Sequence, residues 1–361
     1  MHAENPLVLE TPIYISGMSY GALSANAKTA LGKGAAMVGS ASCTGDGGML
    51  QAERDAADKL IYQVLPSRYG LNPHHLVQAQ AIEIVVGQGA KPGTGGLLMG
   101  VKVADEIADM RDLPQGIDQR SPARHPDWLG PDDLAVKIEQ LREATDWRVP
   151  IHVKLGACRV DDDVKLAAKA GADAIVIDSM VAGTGASAEV LIEHSGIPTV
   201  PAIVMAREAL RELGLYGKVS LIASGGIRHG ADAAKALALG ADAVAIGIAA
   251  LIALNCNREI PESDFEAEVG VPAGFCHHCH TGKCPVGITT QDPNLTKRLD
   301  PDEAAERVAN FINSMTMEMA LLTRSLGKGD VHSLEPEDLA ALTIEASAMA
   351  RVPLVGTNKV Y

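Results

Sequence analysis

Aromatic side chains are scarce: two Trp, six Tyr and three Phe in 361 residues, 3% of the chain. Proteins that stack nucleic-acid bases on aromatic platforms need more. Basic charge is short too, with 31 Lys and Arg against 45 Asp and Glu, a net charge of −14. No basic surplus is left to neutralise phosphates or an anionic bilayer, so neither nucleic acid nor membrane is expected as a partner. No stretch reaches the ~18 uninterrupted apolar residues of a membrane span. Met1-His2-Ala3-Glu4-Asn5 lacks the basic-then-apolar pattern of a secretory signal. Cysteines are not spread as in a disulfide framework: Cys43 and Cys158 stand alone, while Cys256, Cys276, Cys279 and Cys284 gather late. That clustering points to a reducing compartment, the cytoplasm.

What the chain does have is apolar content, 47%, and 36 glycines. This suffices for a full core. Eight short apolar runs read as strands: 12–17, 38–44, 81–87, 150–156, 174–179, 199–204, 219–226 and 243–248. Their apolar character is continuous, as in parallel strands buried on both faces. Helical patterns ending in Gly separate the later ones, such as DDVKLAAKAGA and GADAAKALALGA. The expected fold is therefore α/β, a closed (β/α)8 TIM barrel, with an open doubly wound sheet as runner-up. The barrel is expected over 1–255, interrupted by a long Gly/Pro-punctuated insertion at 88–149, of the kind that usually carries function. A cysteine segment follows over 256–299, then C-terminal helices over 300–361. Asp300-Pro301-Asp302-Glu303 supplies an N-cap, a Pro at the first helical position and a capping-box acid. The first helix is expected to run to about Gly327 and a second to cover 336–350, with Met315, Met317 and Met319 as core filler.

The seventh candidate strand runs into Ser224-Gly225-Gly226, and the eighth into Gly247-Ile248. Singly, each reads as a plain tight turn. Together, in the two loops where barrels commonly grip a phosphate, they predict a phosphate site with backbone N–H groups unobstructed by Cβ atoms. Asp178-Ser179 and the loop containing Gly183, Thr184 and Gly185 share the same rim. Lys154 closes the fourth candidate strand. It is either a snorkelling rim lysine or the cation that flavin barrels place at the N1–C2=O edge of the ring. Gln88, closing the third run, and Met18-Ser19, closing the first, complete a ring around a planar ligand. FMN fits this ring better than NAD, since no GxGxxG is present.

The segment CHHCHTGKCPVG (276–287) holds Cys-x2-Cys-x4-Cys-Pro, with Cys256 twenty residues upstream of it. Soft thiolates in a tight loop, with Pro after the last, echo ferredoxin loops. From spacing alone, zinc and a reducible thiol pair stay open as alternatives. His277, His278 and His280 are expected around the site or on the surface, not as ligands.

The segments GMSYGALSANAK, TGDGGM, AIEIVVGQGAKPGTGG, SPARHPD, VKLGA, GTGAS, LIASGGIRHGADAAKALALGADAVAIGIAALIALNC and CHTGKCPVGITTQDP span nearly the whole chain. With them the sequence resembles the FMN-binding synthase domain of glutamate synthases, in the archaeal-type and N-methylglutamate-synthase-like branch. The resemblance implies FMN and an iron–sulfur cluster side by side, reducing an imine of 2-oxoglutarate. It implies Cys256, Cys279 and Cys284 as ligands of a 3Fe–4S centre. The added Cys276 and a longer spacing make 4Fe–4S the alternative. It further implies Lys91, and with it Arg111, as partners of the oxoacid carboxylates. Asp46 stands where the family has Glu, and Leu97 where it has Gln. Those two changes suit methylamine in place of ammonia; Asp46 otherwise reads as a turn-capping acid. The opening Met1-His2 offers no N-terminal catalytic Cys, and no dinucleotide domain is visible. Partner subunits are therefore expected: an amidotransferase-like subunit, a right-handed β-helix subunit, and an NAD(P)H/FAD reductase or a ferredoxin. A stand-alone FMN oxidoreductase, such as a hydroxyacid oxidase, and a pure electron-transfer subunit are the competing functions.

Overall fold

The computed structural model describes residues 3–183, 187–256, 267, 276 and 278–361. Its strands, in chain order, are β1 (Ile13–Ile15), β2 (Ala41–Cys43), β3 (Lys59–Val64), β4 (Ala81–Val85), β5 (Leu97–Leu98), β6 (Gln119–Arg120), β7 (Ile151–Gly156), β8 (Ala174–Asp178), β9 (Ser220–Ser224) and β10 (Ala243–Ile246). All but β5 and β6 join one parallel sheet in the order β1-β10-β9-β8-β7-β4-β3-β2. The two end strands meet where the Ser40 hydroxyl donates to the Ile13 carbonyl at 2.5 Å. The sheet is thus a nearly closed eight-stranded barrel, the expected TIM-barrel-like α/β fold.

The strands form here because every residue has a buried side to face. Alternate residues point inward, where Tyr14, Cys43, Ile61, Val176, Ile222 and Ala245 fill the barrel. Their neighbours Ile13, Tyr62, Ile82, Ile175 and Leu221 face the helical layer. One strand expectation is corrected. The run TVPAIV (199–204) is the start of the helix Thr199–Glu212. Pro201 sits in its first turn, where the missing N–H is no loss, and Ala202, Ile203, Ala206, Ala209 and Leu210 bury one helical stripe. The eighth barrel strand is instead β3, whose Lys59 and Gln63 broke the apolar run that would have marked it.

Inside the insertion, β5 and β6 pair antiparallel. The helix Pro131–Ala144 then provides the crossover from β4 to β7. The C-terminal helix spans Pro301–Ser325, its first turn capped by the Asp300 carboxylate accepting from the N–H groups of Asp302 and Glu303. It packs between the helices Ala25–Met37 and Gly230–Ala238. A Cβ added at Gly34 would stand 2.8 Å from the Ala305 carbonyl, and the Gly230 N–H donates to Glu318 at 2.6 Å. This helix occupies the outer-ring place that the six-residue helix Ile248–Ala253 after β10 leaves unfilled. Met315 and Met319 are core filler as expected; Met317 is exposed. The expected helix over 336–350 is shorter, a 3-10 turn at Pro336–Asp338 followed by Ile344–Ala350. Among the described residues, no helix is long and apolar enough to cross a membrane.

Candidate active site

The chemistry-bearing residues meet at the C-terminal ends of the barrel strands, the end where such barrels place their sites. The loop after β1 is the hub. Three of its carbonyls each take a buried cation: Lys28 donates to Met18 at 2.7 Å, Arg111 to Tyr20 at 2.9 Å and Lys102 to Ala22 at 2.7 Å. Lys28 also reaches the carbonyls of Cys43 and Thr44, both at 3.0 Å, and pairs with Glu53 at 2.8 Å. Gln291 donates to the carbonyls of Gly21 and Leu23, and Ser24 both caps its helix and donates to Gly287. The loop bearing Met18 and Ser19 is thereby fixed from the insertion and from the cysteine segment together. Lys28 and Lys102 escaped sequence reading, because nothing but tertiary burial marks them.

Lys154, on β7, lies 3.4 Å from both Asp178 and the Ser16 hydroxyl. Burial pulls its ammonium down, yet Asp178, Glu83 and Cys43 outweigh that and leave it above the usual lysine value. Glu83, beneath it, accepts from the Gln63 amide at 2.6 Å, and burial pushes its carboxyl up. Asp178 accepts the Gly89 N–H at 2.9 Å. A Cβ at Gly89 would overlap the Ser179 carbonyl, so only glycine lets the loops after β4 and β8 touch. Gln88 stands at the start of that loop, paired with Lys91.

Gly225 and Gly226 follow β9 with φ of 105° and 73°, the left-handed region that side chains resist. A Cβ at Gly225 would also overlap the Ser179 hydroxyl, whereas one at Gly247 would meet nothing within 4 Å. Ser179 is fully buried, hydrogen-bonded to Thr199 at 2.6 Å, and Thr199 donates to the Gly225 carbonyl. Ser179 therefore braces the glycine turn from behind. A Cβ at Gly183 would lie 2.7 Å from Ile248, so the loops after β8 and β10 adjoin. Thr184 and Gly185 lie outside the described residues.

Lys91 is 6% exposed, and its ammonium has no hydrogen-bond or ion-pair partner among the described residues. Burial lowers its proton affinity while Asp46 acts in the opposite sense. Asp46 does not cap its own turn; its two oxygens accept from Ser67 at 2.6 Å and Ser121 at 2.9 Å. Arg111, 3% exposed, bonds Gln119 at 3.0 Å and the Asp46 carbonyl at 3.1 Å, leaving Nε buried and without a hydrogen-bond partner among the described residues. Leu97 is half-buried on β5, beside Gly96, where an added Cβ would be 3.1 Å from Asp46. The Ser67 and Ser121 clasp was invisible in the sequence, since it joins residues far apart in the chain.

All four late cysteines are free thiols. Burial, then the charges of Cys279, Cys284 and Cys276, push the Cys256 thiol up to about 11. The four thus share one neighbourhood. No three ligand-type side chains among the described residues converge as a single metal ion needs; a cluster, with irons and sulfides between its ligands, spaces cysteines wider. Lys102 reaches this segment too, donating to the Cys279 carbonyl at 3.1 Å. His277 lies outside the described residues; His280 is exposed. Two cavities, of about 340 and 410 Å³, lie elsewhere, one lined by Leu7, Lys59 and Arg148, the other by Arg207, Tyr216 and Arg351. Neither contains the residues above.

The barrel is similar to a double mutant of flavocytochrome b2 with pyruvate bound, at TM-score 0.54 and 17% identity, covering 96% of this chain and 72% of that one. A mandelate oxidase mutant gives 0.52 and 17%, covering 90% and 77%. At such identity the likeness is one of fold. Sequence carries further. A Rhizobium meliloti glutamate synthase large subunit-like protein is 57% identical over 99% of this chain and 80% of its own length. The archaeal glutamate synthase (NADPH) of Methanocaldococcus jannaschii is 45% identical over 91% of this chain, which spans 61% of that protein. A family model described as "Conserved region in glutamate synthase" matches residues 1–329. The chain belongs to the glutamate synthase family.

Proposed function

We propose that this chain is the FMN- and iron–sulfur-dependent synthase subunit of a glutamate synthase-type complex, reducing an imine of 2-oxoglutarate to glutamate or N-methylglutamate. The observation that carries the reading is the Lys91 ammonium, without a hydrogen-bond or ion-pair partner among the described residues, at the same mouth as the glycine turns and in range of Asp46, whose carbonyl Arg111 holds. A mostly buried cation that has Asp46 and Asp178 in range but no direct ion pair among the described residues favours an anion beside it. A substrate carboxylate answers that need, and the bare Arg111 Nε offers a second donor.

The residues fit both cofactors. The open approach to Gly247 and the turn at Gly225 and Gly226 suit a phosphate, and Lys154 supplies a cation at the mouth. Met18, Ser19, Gln88 and the loop with Gly183, Thr184 and Gly185 would frame the ring, with Ile248 beside the phosphate. Bound there, FMN supplies the hydride for imine reduction. Four cysteines in one neighbourhood, Cys256, Cys276, Cys279 and Cys284, suit soft iron, as 3Fe–4S or, with Cys276, 4Fe–4S.

Asp46 faces the nitrogen side and assists proton transfer while the imine forms. Two serines hold its carboxyl group in place, and its oxygens keep further lone pairs free for a substrate. With Leu97 alongside, the pocket is shorter in acid and poorer in amides than a Glu and a Gln would make it, which favours methylamine. A methyl group gains only ~1 kcal/mol or somewhat more from an apolar neighbour, so selectivity is modest without shape exclusion.

An amidotransferase-like subunit, a β-helix subunit and a reductase or ferredoxin complete the complex, in a reducing, cytoplasmic setting. A stand-alone hydroxyacid oxidase would share the glycine turns but have no use for the cysteine segment. The test is turnover of the reconstituted complex with 2-oxoglutarate and either amine. Faster N-methylglutamate formation supports the methylamine reading; equal or faster glutamate formation removes it. No amine-dependent oxidation of reduced flavin with either amine removes the synthase reading.

A further inference from the structure

The three buried cations that grip the loop after β1 differ in what balances their charge. Lys28 has Glu53 at 2.8 Å. Arg111 has Asp46 in range. Lys102 has no acid paired with it among the described residues. Its side chain is 2% exposed, it makes no ion pair among the described residues, and its ammonium donates only to the carbonyls of Ala22 and Cys279, at 2.7 and 3.1 Å. Two neutral carbonyls do not offset the burial of a full positive charge. The ionisable groups of opposite sign that face it are the thiols of Cys279 and Cys284, while Arg111 faces it with like charge. Its stem lies against the Cys279–Cys284 turn, where a Cβ at Gly282 would be 3.5 Å from Lys102 Cγ.

We propose that Lys102 is the built-in counter-cation of the iron–sulfur cluster, holding its reduction potential up while tying the Cys279 turn to the loop after β1. This rests on the cluster reading above. A cluster held by these cysteines would gain one negative charge on taking one electron from a partner reductant. A fixed cation in a poorly polarisable surrounding stabilises that state more than the oxidised one. Lys102 ligates nothing; it acts through charge and position.

The test is an EPR-monitored redox titration of the anaerobically purified full chain, comparing wild type with Lys102→Gln and Lys102→Arg, with iron and flavin content measured in each. Gln keeps a donor for a carbonyl and removes the charge; Arg keeps the charge. At fixed potential, Lys102→Gln is expected to lower the reduced-to-oxidised cluster ratio at least tenfold, 59 mV for a one-electron couple, while Lys102→Arg stays near wild type. Loss of iron from the Gln protein but not the Arg protein also supports the charge requirement. An iron-replete Gln protein titrating with wild type overturns the inference, and so does loss of iron from both variants, which would make the role one of packing. An iron-free wild type overturns the cluster reading itself and this inference with it.

Discussion

Lys91 and Gly225 are single residues whose replacement separates binding from framework. The Lys91 ammonium has no hydrogen-bond or ion-pair partner among the described residues, so Lys91→Met strands no buried group there and is expected to leave the fold intact. Loss of a charge-assisted contact removes about 1.5–3 kcal/mol of binding, and the KM for the oxoacid should rise at least tenfold with unchanged thermal stability. Steady-state kinetics beside a melting curve check this, and an unaltered KM would contradict the assignment. Gly225→Ala is the opposite case. Its φ of 105° and the Ser179 hydroxyl behind it resist a Cβ, at roughly 1–3 kcal/mol of strain. Flavin retention after gel filtration should fall together with the melting temperature. The glycine turns were legible in the sequence because a loop after a barrel strand needs only local signals. The Lys28 and Lys102 grips and the Ser67–Asp46–Ser121 clasp were not, because they join residues that approach only in the folded chain.

At the scale of the element, β7 and the insertion each hide a histidine. Burial drives His152, on β7, down to about 4, with Asp173 opposing only in part. Burial does the same to His125, whose ring stacks on Trp128 at 3.8 Å and bonds the Val85 carbonyl. Both start from 6.5 when unfolded. The unfolded chain therefore takes up protons first as pH falls. The stability these groups allow is complete above about pH 6.5, is lost progressively towards pH 4, and changes no further below it. Each loss is on the order of 3 kcal/mol. Denaturant unfolding of wild type and His152→Gln at several pH values isolates one group from the titrating carboxylates; identical slopes for the two would contradict it. Strand reading failed for a related reason. TVPAIV has strand-forming residues yet folds as a helix, because Pro201 opens one and its apolar residues fall on a helical stripe. KLIYQV was missed because Gln63 is polar, and it is polar because it supports Glu83 inside the barrel.

For the whole molecule, the helix Pro301–Ser325 completes the outer ring and is part of the barrel's stability. Gly34→Leu would drive a side chain into Ala305 and Val308. Overpacking of this kind costs about 1–3 kcal/mol, and the melting temperature should drop without loss of flavin. The overall barrel was legible because continuous apolar runs and glycine-ended helices repeat along the chain; the ring-closing place of this helix was not, since it follows β10 only after a long detour. The same detour carries the cysteines, and the central claim is that they hold a cluster beside a flavin in one mouth. The most direct measurement is the absorption spectrum of anaerobically purified protein, with iron and zinc assayed on the same sample. Flavin bands over a broad iron–sulfur shoulder, both bleaching on reduction, with iron and no zinc, are the expected result. Flavin bands without iron, or zinc in its place, would contradict the account.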